Sequence, residues 1–175
     1  MFLITPLEFG SRLAQLVQSA KRSLQFEHNF SRESFLPLVL PEAYTSGEVG
    51  TLQIWGPIRL GKTEWALSQF SNPLHVTERN NLLDFRPGWH DGIVIDKILP
   101  RERPPAGFTL HECEKLTDYT LPASIRCLYR IIVIPRGVRK IVVTNVRDAW
   151  PADPEGQIVG RRVAQLHIVE RMYRV

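Results

Sequence analysis

Apolar positions along the chain change their period several times, and each change predicts an element. From Pro6 onward they recur at Leu13, Leu16, Val17, Ala20 and Leu24, one face of a helix, with Arg12, Lys21 and Arg22 off that face. Ser31 with Glu33 resembles a helix start, and Pro37 and Pro41 then break the regularity before a hinge at Thr45, Ser46 and Gly47. Leu52, Ile54 and Trp55 predict a buried strand, and Trp65, Ala66, Leu67 and Phe70 a helical apolar face after it. Leu74 to Val76 predicts a short strand, followed by a polar turn through Asn80 and Asn81 and a turn-rich approach over residues 85–92. The run Ile93, Val94, Ile95 then ends on Asp96. Residues 101–107 read as a basic, proline-rich loop, and residues 108–119 as a helix with Thr109 near its cap. Two further apolar runs, 128–134 and 141–143, are separated by Pro135, Arg136, Gly137, Val138, Arg139 and Lys140. That spacing predicts a hairpin with a cationic tip leading into a buried strand that ends on Thr144 and Asn145. Beyond a polar loop at 148–156, Val163, Leu166, Ile168 and Val169 predict a last strand. Buried strands alternating with helices predict an α/β chain with a mainly parallel central sheet flanked by helices. Residues 1–48 form a helical arm suited to oligomerisation in this reading, and residues 49–175 the body.

Between the first buried strand and its helix lie Gly56, Pro57, Ile58, Arg59, Leu60, Gly61, Lys62 and Thr63, which match G-x-x-x-x-G-K-[ST] at every fixed position. Glycines at that spacing let backbone N–H groups turn inward around a phosphate chain, and the following helix start adds its positive end. Lys62 is expected to reach the β and γ phosphates of ATP, and the Thr63 hydroxyl to hold Mg²⁺. Asp96, emerging at the end of a buried strand downstream, is the expected second ligand of that metal. The body is therefore expected to be a P-loop ATPase.

The chain has 175 residues, enough for one well-buried domain with an arm and too few for two ordinary domains. A net charge of +4 and a pI near 9.3 favour phosphate-bearing partners. Two cysteines, Cys113 and Cys127, are too few for a disulfide framework and suit a reducing compartment. His111 precedes Cys113 by two positions, but no second ligand pair follows at zinc spacing. No apolar run reaches the length of a membrane span and no secretion signal opens the chain, so no membrane partner and an intracellular location are expected.

In order and spacing, these motifs resemble the superfamily 3 helicase domain of replication-associated proteins from small circular single-stranded DNA viruses and related plasmids. The resemblance covers roughly residues 49–169. Gly56 to Thr63 looks like the family's Walker A, with an arginine inside the loop, and residues 85–98 are similar to its aromatic-glycine approach to Walker B. Residues 134–140 sit where the family has a DNA-contacting hairpin, which implies DNA contacts for Arg136, Arg139 and Lys140. Residues 141–145 resemble motif C, which implies that Asn145 senses the γ-phosphate and the attacking water. Arg161 and Arg162 look like the pair from which an arginine finger reaches a neighbour's nucleotide. The family implies an ATP-hydrolysing helicase of a replication initiator, acting on single-stranded DNA as a homo-oligomeric, hexamer-like ring. It also implies a host-nuclear location for a viral replicon.

Two departures qualify the carry-over. The family usually has a second acid after the Walker B aspartate, the water-activating base, where this chain has Lys97. Losing a positioned base typically costs about 10²–10⁴ in rate, so hydrolysis is expected to be weak or to borrow another acid such as Asp91. The family's nuclease domain, with its His-hydrophobic-His motif and nicking tyrosine, has no counterpart here, so the chain is expected to be a helicase fragment, a split gene product or a stand-alone relative, with a nuclease domain or subunit as a candidate partner. Two other readings compete: a structural or regulatory nucleotide-binding module without turnover, and a small P-loop kinase with an acceptor pocket and an arginine-rich lid.

Overall fold

The computed structural model describes residues 30–99, 107–150 and 158–174. The helix expected around Leu13 to Leu24 and the loops at 101–106 and 151–157 lie outside them. Five strands build the main sheet: β1 (Thr51–Trp55), β2 (Pro73–Val76), β3 (Gly92–Asp96), β6 (Arg139–Thr144) and β7 (Val163–His167), in the order β2-β3-β6-β1-β7. Every pairing in it is parallel. Two more strands, β4 (Ala123–Cys127) and β5 (Arg130–Ile134), pair antiparallel with each other apart from it. The helices are α1 (Glu42–Thr45), α2 (Lys62–Ser68), α3 (Leu110–Thr117) and α4 (Ile158–Arg161). The fold is thus α/β, with a parallel central sheet flanked by helices.

Side chains alternate across the pleat, so the central strands supply two cores. On one face Leu52, Ile54, Val94, Ile141 and Val143 meet Trp65, Ala66 and Leu67 of α2. On the other, Ile93, Ile95 and Val142 meet Cys113 and Leu116 of α3 and Ile125 and Ile134 of the β4–β5 pair. Burial on both sides explains why β1, β3 and β6 read as continuous apolar runs rather than alternating ones. Thr109 caps α3 reciprocally with Glu112, as its position before an apolar run predicts. Arg79, in the 3₁₀ turn Arg79–Asp84, donates to the carbonyls of Gly107 and Arg126 and pairs with Glu112, tying α3 to the β4–β5 pair.

The segment before the body also contributes to the core. Phe35 and Tyr44 are buried beside Val49 and Met172, and the expected hinge at Thr45 to Gly47 instead closes α1, whose Ser46 N–H bonds to Glu42 O at 2.8 Å. Among the described residues no helix is long and apolar enough to cross a membrane.

The hairpin lies one segment earlier than the sequence predicts. Its antiparallel partners are Ala123↔Ile134 to Cys127↔Arg130, so the connection is Leu128 and Tyr129, not residues 135–140. Residues 135–138 carry the chain from the hairpin back to the parallel sheet. Arg139 and Lys140 already belong to β6, between β3 and β1. Arg139 lies over the Tyr44 ring, 5.0 Å from its centre, and Arg136 alone of the three cations is exposed.

Lys140 is 2% exposed, and burial pushes its ammonium down to about 8 against a weaker opposing pull from Asp118. Between that value and the unfolded value of 10.5, the unfolded chain holds the proton and the folded chain does not, so stability rises with pH across this window. Each pH unit of that gap is worth about 1.4 kcal/mol, which puts the cost of the charge at neutral pH on the order of 3 kcal/mol. Lys140→Met is therefore expected to raise the urea midpoint at pH 7, with the gain shrinking as pH climbs above about 8. A constant difference between the two proteins from pH 7 to 10.5 would show that the burial of charge is not what Lys140 contributes.

Candidate functional site

Three strands carry the site, because parallel register sets their ends at one edge of the sheet. Trp55 is level with Thr144, and Asp96 with Val143. The loop 56–61 leaves β1 at this edge, Asn145 follows β6, and Asp96 closes β3.

Lys62 Nζ donates to Gly56 O at 2.9 Å, Pro57 O at 2.5 Å and Asn145 Oδ1 at 3.2 Å. Thr63 Oγ1 donates to Asp96 Oδ2 at 3.2 Å. Four residues singled out in the sequence, at 62, 63, 96 and 145, thus converge from three chain segments. Burial pushes the Lys62 ammonium below the ordinary lysine range, while the Asp96 carboxylate pulls it back up. The cleft they line has a volume of about 530 Å³ and is walled also by Ile58, Arg59, Leu60, Gly61, Glu64 and Lys97. That volume falls within the usual range for small-molecule sites, roughly 300–1,000 Å³.

Both fixed glycines of the loop are required. Gly56 has φ 145°, and a β-carbon there would lie 2.0 Å from the Ile168 carbonyl oxygen. Gly61 has φ 86°, and a β-carbon there would press on the Tyr173 ring at 2.8 Å. The neighbour in both cases is the C-terminal segment, which runs across the loop. Ile168 N–H bonds to Trp55 O at 2.8 Å, and Met172 N–H bonds to Leu60 O at 3.0 Å. Tyr173 in turn stacks on Phe35 with ring centres 5.3 Å apart, so segments from both ends of the described chain brace the loop.

Lys97 has φ 64°, in the left-handed region. A non-glycine residue held there costs on the order of 1–3 kcal/mol. This turn ends β3 immediately after Asp96 and leaves Lys97 on the wall of the same cleft.

Thr63 Oγ1 and the Asp96 carboxylate are hard oxygen donors, the kind Mg²⁺ takes with its remaining positions filled by water and phosphate. No cluster of three His, Cys, Asp or Glu side chains able to hold a metal occurs among the described residues. The pair fits a cation whose other positions water and a bound anion would fill.

Other expected residues lie elsewhere. Asp91 precedes β3, at the end opposite Asp96, and its carboxylate accepts from Ser71 N at 2.8 Å and Asn72 N at 2.9 Å. Five residues of extended chain span about 16 Å, so Asp91 cannot serve as a base in this cleft. Arg161 and Arg162 lie just before Val163, which pairs with Thr51 at the far end of β1. Arg162 is held there by Glu114 O at 3.3 Å and the Asp118 carboxylate at 3.5 Å.

Two contributors went unread in the sequence. Gln53 is fully buried in β1 and donates to Arg147 O at 2.5 Å and Val146 O at 3.3 Å, which pins the turn carrying Asn145. His75 of β2 places Nε2 3.5 Å from Asp96 Oδ2, the same oxygen that accepts from Thr63. An amide and an imidazole inside otherwise apolar strands were the available signals.

Compared with known proteins, the chain matches no family model and no curated protein sequence. Its functional reading rests on this geometry. Lys62→Ala removes the side chain that spans the cleft, and it is expected to abolish binding of a fluorescent ATP analogue in Mg²⁺ while leaving the circular dichroism spectrum unchanged. Binding as tight as wild type would disqualify the loop as a phosphate site.

Proposed function

We propose that the chain is a P-loop ATPase domain that drives a single-stranded DNA translocase of the superfamily 3 helicase kind, working as a ring of identical subunits. One observation carries the reading: Lys62, Thr63, Asp96 and Asn145 meet in one cleft in the arrangement that Mg-ATP chemistry calls for. In this reading Lys62 takes the β and γ phosphates, Thr63 and Asp96 hold Mg²⁺, and Asn145 orients the water. Bound Mg²⁺ would supply neutralisation of the phosphate charge. Gln53 keeps the sensor turn in place.

Arg161 and Arg162 sit at the opposite end of β1 from the loop, so they cannot reach their own chain's cleft. A head-to-tail ring would bring that end of one subunit to the cleft of the next. An inactive Arg161→Ala protein keeps its loop, and an inactive Lys62→Ala protein keeps its arginine. Random mixing in equal amounts should make roughly a quarter of such head-to-tail boundaries intact. ATP hydrolysis by the mixture is expected to exceed the sum of the two parents. No recovery, once subunit exchange is demonstrated, would remove the shared site from the reading.

The grip on DNA moves with the corrected hairpin. Tyr129 is 99% exposed at its tip, next to the exposed Arg130, and Arg126 is exposed on β4. An aromatic ring beside cations suits stacked bases and backbone phosphates of a single strand, each stacked base being worth about 1–3 kcal/mol. Tyr129→Ala is expected to weaken oligonucleotide binding at all salt concentrations. Arg130→Ala should lower the salt slope by about 1. Lys140→Met, buried, should change neither, and equal losses in all three variants would point to a general unfolding rather than a contact surface.

A second reading, a nucleotide-binding module with little turnover, is favoured by one observation: the residue after Asp96 that lines the cleft is a lysine rather than an acid.

A further inference from the structure

We propose that Lys97 is a phosphate-binding cation, and that it lets the cleft take a nucleoside triphosphate with little dependence on a divalent metal. The inference rests on the nucleotide reading above and concerns the same site.

The charges on the cleft wall carry the argument. Arg59, Lys62 and Lys97 are its cations, and Glu64 and Asp96 its acids, which leaves the lining one positive charge in excess. An acid at position 97 would leave it one negative charge in excess. A polyphosphate approaching a net negative lining needs a divalent cation to neutralise it first. A net positive lining attracts it directly, and both effects grow as the charges come closer.

Position adds to sign. Lys62 lies at the Asn145 side of the cleft, bonded to the carbonyls of Gly56 and Pro57. Lys97 adjoins Asp96, on the side where Thr63 and that carboxylate would hold the metal. An ammonium there competes with Mg²⁺ for the phosphate oxygens, to which it offers three N–H donors. The left-handed backbone at φ 64° keeps Lys97 on the cleft wall rather than continuing β3. Asparagine and aspartate tolerate that conformation better than lysine does, so both can replace it without new strain.

The test is equilibrium binding of a fluorescent ATP analogue to the full chain, with excess Mg²⁺ or with excess EDTA. Wild type is expected to bind in EDTA within about tenfold of its affinity in Mg²⁺. Lys97→Asn and Lys97→Asp should each lose at least about tenfold in EDTA, the scale of one charge-assisted hydrogen bond. Added Mg²⁺ should restore Lys97→Asp more than Lys97→Asn, and Lys97→Arg should stay close to wild type. If both neutral and acidic variants bind in EDTA as wild type does, while Lys62→Ala has lost binding, Lys97 is not a phosphate ligand and the nucleotide site survives. If wild type binds the analogue in neither buffer, the nucleotide reading falls and this inference falls with it.

Discussion

Parallel hydrogen bonding is the constraint on which the rest of this structure depends. Strands that run the same way end at the same edge, so residues far apart in the chain arrive side by side without any contact designed between them. The levels of Trp55, Thr144 and Asp96 follow from the ladder β3-β6-β1 alone. A slip of one residue in β6 would turn Ile141 and Val143 to the opposite core and carry Asn145 away from Lys62. Packing on both faces thus fixes the site: the fit of the side chains into the two cores sets the register, and the register sets the polar edge.

The loop 56–61 is held by a second, different constraint, which is close approach. Its glycines face the C-terminal segment so tightly that no side chain fits between them. The segment repays this contact with hydrogen bonds to Trp55 O and Leu60 O. The bonding carries the loop's shape through Tyr173 to Phe35 and Phe30, at the start of the described chain. Residues before the body and after its last strand therefore share one aromatic cluster beside the cleft, and displacement of either would loosen the backbone that Lys62 spans.

Most of the sheet was legible because buried parallel strands announce themselves as apolar runs with polar ends. β1, β3 and β6 are such runs, and the residues that end or follow them are those of the cleft. The hairpin was misplaced because its two-residue connection, Leu128 and Tyr129, carries none of the usual turn residues, although Leu128 adopts φ 46°. The glycine at 137, with φ 80°, drew the turn to itself. Lys140 read as a loop cation because charge ordinarily marks solvent, and only the sheet order shows that β6 is flanked on both sides. Gln53 and His75 could not be assigned at all, since their roles are defined by Arg147 and Asp96, partners that the fold alone brings near.

The arrangement of charge ties the two proposals together. In a ring ATPase with an arginine supplied by its neighbour, fast hydrolysis waits for that neighbour to arrive. Here the cleft already holds Arg59, Lys62 and Lys97 on its own wall. A neighbour's arginine would then add little to binding, and its effect would be confined to the moment of bond breaking, where charge moves toward the leaving oxygen. An acid in place of Lys97 would reverse that division by restoring the need for metal and making the cleft more dependent on its neighbour. In the proposed ring, the identity of one residue, held in a left-handed turn at the end of β3, would decide whether nucleotide binding belongs to each subunit or to the boundary between two.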